Sequence, residues 1–191
     1  MKTYLKYLTI SNYFSFLGEH HRDLPRTGLV MIKAKNLDTG GSSGGGKSAF
    51  SCAINEALGV GPYAMTDAQN WDTEERAVLK LGLEAEDGTP VNLVRGPQNS
   101  LQVGDGKVVT GAKDITAELE KFIGVPLALL ETLTFLPQGT KDDFLSKTNG
   151  EKQAFLATVL NLAPYEAAVS VAQKSLSALE TKLIGVQAQA V

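Results

Sequence analysis

Five glycines crowd into the seven positions from Gly40 to Gly46, and Lys47 and Ser48 follow at once. No regular helix or strand runs comfortably through so much conformational freedom, so the segment must be a tight loop. Gly41-Ser42-Ser43-Gly44-Gly45-Gly46-Lys47-Ser48 fits the pattern G-x-x-x-x-G-K-[ST]. Such a backbone can curl until several N–H groups converge on one anion. The flanks suit that reading. Leu29 to Ile32 is an apolar run that reads as a buried strand covering about Gly28 to Lys35, and Ala49 to Leu58 reads as a helix closed by Gly59. Strand, glycine loop and helix together form a phosphate-binding arrangement, with Asn36 to Gly40 lengthening the turn. The amides of Gly41, Ser42, Ser43, Gly44, Gly45, Gly46, Lys47, Ser48 and Ala49 would cradle phosphates, aided by the positive end of the helix. Lys47 supplies a charge for the β- and γ-phosphates, and the Ser48 hydroxyl suits Mg²⁺, which prefers oxygen ligands. ATP with Mg²⁺ is the cofactor expected.

The bulk properties narrow the field. A chain of 191 residues with 43% hydrophobic residues suits one domain with an appendage. Net charge is −3, so composition carries no electrostatic footprint for nucleic acid. Lys33, Lys35, Lys141, Lys147 and Lys152 nonetheless fall near the expected site. Cys52 is the only cysteine, which excludes an internal disulfide, suits a reducing cytoplasm and reads as a packing residue. No cysteine or acidic cluster accompanies His20 and His21 at metal-ligand spacing, and they read as a surface turn. No apolar run reaches membrane-spanning length, and the start carries no signal-peptide core, so no membrane partner is expected.

Periodicity orders the rest. Residues 3–16, rich in Tyr, Phe, Leu, Ile and Thr, read as one strand, and residues 60–75 as irregular. Ala77, Leu79, Leu81, Leu83 and Ala85 alternate with the residues between them, a period-two strand. Asp87-Gly88 turns into a return strand at Val91 to Arg95. Leu101 to Val103 and Lys107 to Val109 form a further hairpin, completing an antiparallel meander. Ile115, Leu119, Phe122 and Ile123 share one helix face, ended by Gly124 and Pro126. Leu133 to Pro137 reads as a strand, directly followed by Gln138. Thr148 to Glu151 is a capping box, and Pro164 suits the first turn of the next helix. In that helix Val169, Ala172, Leu176, Leu179, Leu183 and Val186 recur at spacings of three and four, a heptad seam favouring a coiled coil over a helix packed on its own core.

The glycine loop joined to a meander resembles the head of an ABC-type ATPase. With Phe135-Leu136-Pro137-Gln138-Gly139 it looks like the N-terminal lobe of an SMC-type ATPase. The segment from Gln138 through Asp142, Asp143, Phe144 and Glu151 to Leu162-Ala163-Pro164-Tyr165-Glu166 is similar to SbcC-like double-strand-break repair ATPases, phage recombination-nuclease subunits included. The fold class expected is α/β: a P-loop NTPase, ABC-type head N-terminal lobe with an antiparallel meander and the start of a coiled coil. Residues 1–163 would be the lobe and 164–191 the base of the arm.

The resemblance implies a half-head that is completed by its own C-terminal lobe, pairs with a second head as a homodimer, and sandwiches ATP. Lys47 and Ser48 match the family's phosphate-loop lysine and Mg²⁺ ligand. Gln138 matches its catalytic Q-loop glutamine, which also contacts Mg²⁺. An SbcD-like nuclease would bind at the coiled-coil base, with DNA as the final substrate and the cytoplasm or nucleoid as the location. The sequence departs from the family where Ser43 replaces a frequent Asn and where Phe14, Tyr13 and Ser15 stand in place of an arginine. It contains no apolar run ending in Asp-Glu and no Leu-Ser-Gly-Gly signature; Leu127 to Glu131 and Leu145 to Thr148 only imitate them. Those motifs belong to the family's C-terminal lobe, so ATPase turnover is expected only from a completed head. Two other readings stand beside this one. The first is an SMC-like structural tether without a nuclease; the second is a stand-alone small NTPase, which would need a carboxylate such as Asp67, Asp72 or Glu84.

Overall fold

The computed structural model describes residues 2–36, 40–127, 129–130, 148–160 and 162–189. They belong to two compact units, Met1–Leu136 and Pro137–Val191. In the first unit, β1 (Thr3–Tyr13) and β2 (Phe16–Asp23) precede α1 (Lys47–Leu58). The strands β3 (Val78–Ala85), β4 (Pro90–Arg95) and β5 (Ser100–Val103) follow, then α2 (Ala112–Ile123). The five strands make one antiparallel sheet in the order β2-β1-β3-β4-β5.

The period-two alternation becomes a buried face. Leu8 pairs with Leu81, Leu81 with Leu93, and Leu93 with Leu101, so a row of leucines crosses four strands. Each is at most 1% exposed. Cross-strand apolar pairs of this kind fix register, because a one-residue slip would turn every leucine to solvent. Helix α1 lays Ala53 and Ala57 on this face. Their small side chains let the helix backbone approach the sheet closely. Ile115, Leu119 and Phe122, spaced by four and three, close the core from α2.

Three expectations need correction. The first strand ends at Tyr13; Phe14 and Ser15 turn the chain, and β2 returns antiparallel. Phe14 has φ +45° and Asn12 φ +51°, a left-handed backbone that aromatic composition does not announce. His20 and His21 therefore lie on β2 and not in a turn, with His21 Nδ1 2.8 Å from Thr9 Oγ1. Second, residues 29–36 form no strand, and Leu29 and Met31 are 97% and 73% exposed. A strand requires a neighbouring backbone to satisfy its ladder, and no described segment supplies one here. Third, Lys107 to Val109 contributes only a single bridge, between Leu101 and Val109.

In the second unit, Thr148 caps α3 (Asn149–Val159): its backbone N–H donates to Glu151 Oε2 at 2.8 Å, and its hydroxyl accepts from Glu151 N. Helix α4 (Ala163–Gln189) runs for 27 residues. Its seam residues Val169, Leu176, Leu179 and Leu183 are each more than half exposed. No single helix among the described residues is long and apolar enough to cross a membrane.

Leu81 sits at the centre of the leucine row. Replacing it with alanine should cost about 2–5 kcal/mol of stability, read from the midpoint of a urea denaturation curve.

Candidate phosphate-binding site

The glycine loop delivers the chain into α1. Gly46 is its N-cap at φ +80°, Lys47 is the first helical residue, and Phe50 N donates to Gly46 O at 2.9 Å. An added Cβ at Gly46 would stand 2.9 Å from Ser15 Oγ, and one at Gly45 would stand 2.6 Å from Ala34 Cβ. Both glycines are therefore required, one by conformation and one by close approach. Upstream, Asn36 pins the loop: its backbone N–H donates to Gly41 O at 2.7 Å and its side-chain amide to Ser43 O at 3.1 Å. Asn36 thus ties the end of the apolar segment onto the motif.

This helix start is equipped for an anion. No side chain caps the first turn, and no acidic residue lies in it, so its leading N–H groups face outward with the positive end of the dipole. Ser48 is exposed in that turn. The Lys47 ammonium donates to Ser42 O, within its own loop. Phosphate oxygens carry charge that a carbonyl lacks and are the stronger acceptors for this donor. A cleft of about 350 Å³ opens alongside, lined by Gly45, Gly46 and Lys47 and by Phe16, Arg22 and Lys33. Asp23 is the single carboxylate in the lining against the three cations Arg22, Lys33 and Lys47, a balance that attracts anions.

The structure brings Gly41 to Ala49 together as one continuous loop and helix start. Gln138 lies outside the described residues, as do Leu133 to Pro137 and the two imitating segments apart from Leu127, Leu129, Leu130 and Thr148. Among the described residues no group of three His, Cys, Asp or Glu side chains is placed to hold a metal. A Mg²⁺ here would rest on Ser48 and on the phosphates themselves. Phe14 is partly buried and packs edge-on against Tyr13 and Tyr63, at ring separations of 4.8 and 5.1 Å, so it is a packing residue.

Two buried charges hold α1 in place, and sequence reasoning missed both. Arg95, 7% exposed, aims its guanidinium at the helix C-terminus, donating from Nε to Ala57 O at 3.0 Å. There it satisfies a terminal carbonyl and meets the negative end of the dipole. Glu56, also 7% exposed, accepts the Tyr63 N–H at 2.6 Å and so ties the following loop to the helix. Burial pushes the Glu56 carboxyl above the usual range, only partly offset by the Tyr63 hydrogen bond. The available signal was its position one turn from Cys52 on a helix of small residues. Cys52 is half-buried, and its thiol is pushed up by burial and then by Glu56, which suits packing and not reactivity.

No protein-family model matches the chain, and no curated protein matches it at a significant level. A solved structure from work on the ATP-driven dimerization and DNA-stimulated activation of SMC ATPases does match. The TM-score is 0.56, the identity is 13%, and the match covers 82% of this chain and 99% of that one. The chain therefore shares the fold of an SMC ATPase structure.

The site yields two predictions. Gly46→Ala places a Cβ at φ +80° and should cost about 1–2 kcal/mol, seen as a lowered thermal midpoint. The second concerns pH. The folded protein binds a proton at Glu56 over a range where the unfolded chain has released it. Its stabilising contribution is therefore full below the unfolded carboxyl pKa and declines as pH rises through the folded one. Glu56→Gln keeps an acceptor for Tyr63 without the charge. Its stability relative to wild type should rise between pH 4 and pH 7, measured by urea denaturation at each pH.

Proposed function

We propose that this chain is the ATP-binding lobe of an SMC/ABC-type ATPase head, of the SbcC-like kind that regulates a nuclease acting on DNA breaks. The observation that carries the reading is the Gly41–Ser48 loop opening directly into α1, with Lys47 at its first position, on a lobe with the fold of an SMC ATPase structure. Gly41 to Ala49 would hold the phosphates by backbone N–H groups, Lys47 would neutralise the β- and γ-phosphates, and Ser48 would ligate Mg²⁺. The bound Mg²⁺ would supply charge stabilisation at the γ-phosphate. Gln138 is assigned the Q-loop role on resemblance alone.

Two exposed apolar surfaces support an incomplete head. The first, Leu29 to Ile32, has a strand's composition without a strand's neighbours among the described residues. A C-terminal lobe would supply those neighbours and the carboxylate needed for hydrolysis. The second is the α4 seam, which suits the returning half of an antiparallel coiled coil. A second head would complete the ATP sandwich, as ATP drives dimerization in the matching SMC system. We place lobe and arm at residues 1–163 and 164–191, in the cytoplasm or on the nucleoid. The fold likeness favours an SMC-like tether equally, so the nuclease link needs its own test. An SbcD-like nuclease co-expressed with the chain should co-purify through residues 164–191; failure to capture it would favour the tether.

Mg²⁺-ATP binding and hydrolysis, measured beside Lys47→Ala, test the main reading. The chain should bind Mg²⁺-ATP, Lys47→Ala should weaken binding about tenfold or more, and turnover should stay near background. Robust turnover abolished by Lys47→Ala would overturn the half-head reading, because a catalytic carboxylate would then lie within these residues.

A further inference from the structure

Three cations from three separate stretches of chain line the cleft beside the glycine loop: Arg22 from β2, Lys33 from the segment before the loop, and Lys47 from α1. None of them forms an ion pair among the described residues. Cations on and beside the rest of the sheet are neutralised. Lys6 and Arg26 both meet Glu84, at 2.9 and 3.5 Å, and Lys80 meets Glu19 at 3.0 Å. Like charges gathered in one cleft repel one another unless an anion joins them. The Asp23 carboxylate does not fill that role. Asp23 pairs with Tyr7 on the face of the sheet away from α1, and its Oδ1 lies 3.3 Å from His21 Nε2 on that same face.

Register points Arg22 the other way. It pairs with Leu8, which is fully buried on the face that receives α1, and residues opposite each other in a ladder share a face. Strand β2 is the edge of the sheet, so Arg22 lies beside the core and is exposed. Its Nη1 donates to His21 O at 2.7 Å, and no other hydrogen bond engages it among the described residues. A guanidinium presents five donors in a planar fork that matches two oxygens of one phosphate. Phe16, on the same face of β2, has ring atoms within 3.5 Å of where a Cβ on Gly46 would stand, so this face meets the glycine loop. Phe16, Ile32 and Phe50 give the cleft apolar walls, which focus the field of its cations. At about 350 Å³, with apolar walls and a few convergent charges, the cleft has the size and make-up of a small-ligand site.

We infer that Arg22 is a phosphate-binding side chain of this site, gripping the polyphosphate of the nucleotide from β2 while Lys47 and the loop amides hold it from α1. The inference rests on the reading under Proposed function and adds a contact that lies outside the Gly41–Ser48 motif. The ligand class is a Mg²⁺-bound polyphosphate, and neither base nor sugar takes part in the contact. Arg22 is exposed on an edge strand and its one bond is to the neighbouring carbonyl, so Arg22→Ala should fold as wild type does.

The test is calorimetric titration of wild type, Arg22→Ala, Arg22→Lys and Lys80→Ala with Mg²⁺-ATP and, separately, with Mg²⁺-tripolyphosphate, which has no base or sugar. Lys80→Ala removes a positive charge from the opposite face of the sheet and controls for net charge. The expected result is about tenfold weaker binding of both ligands by Arg22→Ala, partial recovery in Arg22→Lys, which keeps the charge without the fork, and unchanged affinity in Lys80→Ala. Unaltered affinity in Arg22→Ala, with Lys47-dependent binding intact, overturns the inference and leaves the phosphate-site reading standing. A loss confined to Mg²⁺-ATP also overturns it, since the contact would then be with base or sugar. An equal loss in Lys80→Ala, or full recovery in Arg22→Lys, overturns it as well, because charge alone would account for the effect. If Arg22→Ala does not fold, Arg22→Lys decides: weaker binding of both ligands supports the contact, and wild-type affinity overturns it. Wild type that binds neither ligand overturns the inference together with the reading beneath it.

Discussion

Helix α1 is clamped along its whole length, and the site depends on that clamp. At its C-terminus the Arg95 guanidinium bonds the carbonyl of Ala57. Along its middle, Ala53 and Ala57 lie flush on the leucine-lined sheet. At its N-terminus Gly46 fits against Ser15 and Phe16, leaving no room for a side chain. A helix terminus attracts an anion only within its first turn, so its value depends on where the fold puts it. Here the sheet, and not the loop, sets that position. Register in the sheet is set in turn by the row from Leu8 to Leu101.

The turn after β1 links several of these features. It provides Ser15 and Phe16 as a wall for Gly46, Phe14 as an acceptor for Asn70, and a left-handed backbone that no glycine relieves. The irregular residues 60–75 are bonded to it at Asn70 and to α1 through Glu56. A segment without regular structure is therefore fixed at both ends to the elements that shape the site.

Much of this was legible in the sequence, for physical reasons that also explain the failures. The alternation from Ala77 to Ala85 has only one solution with a buried face, and β3 follows it. The glycine loop and its helix were legible because few sequences tolerate that backbone, and Gly59 closes α1 at φ +84° as expected. The end of β1 was not legible. Tyr13, Phe14 and Phe16 continue a strand-like composition, and nothing local announces the turn, which is held by long-range bonds to Ala68 and Asn70. Leu29 to Ile32 misled for a different reason: composition reports what a segment could bury, and among the described residues no backbone pairs with it. Arg95 and Glu56 were invisible because their partners are backbone groups far away or across a loop.

The central claim is that the N–H groups opening α1 receive phosphate. The most direct measurement is a ¹H–¹⁵N NMR titration of the chain with Mg²⁺-ATP. The account predicts saturable shifts in the amides of Gly44 to Ala49, with smaller ones in Ser15 and Phe16, which touch Gly46. Shifts confined to other segments, or none at saturating nucleotide, would contradict it.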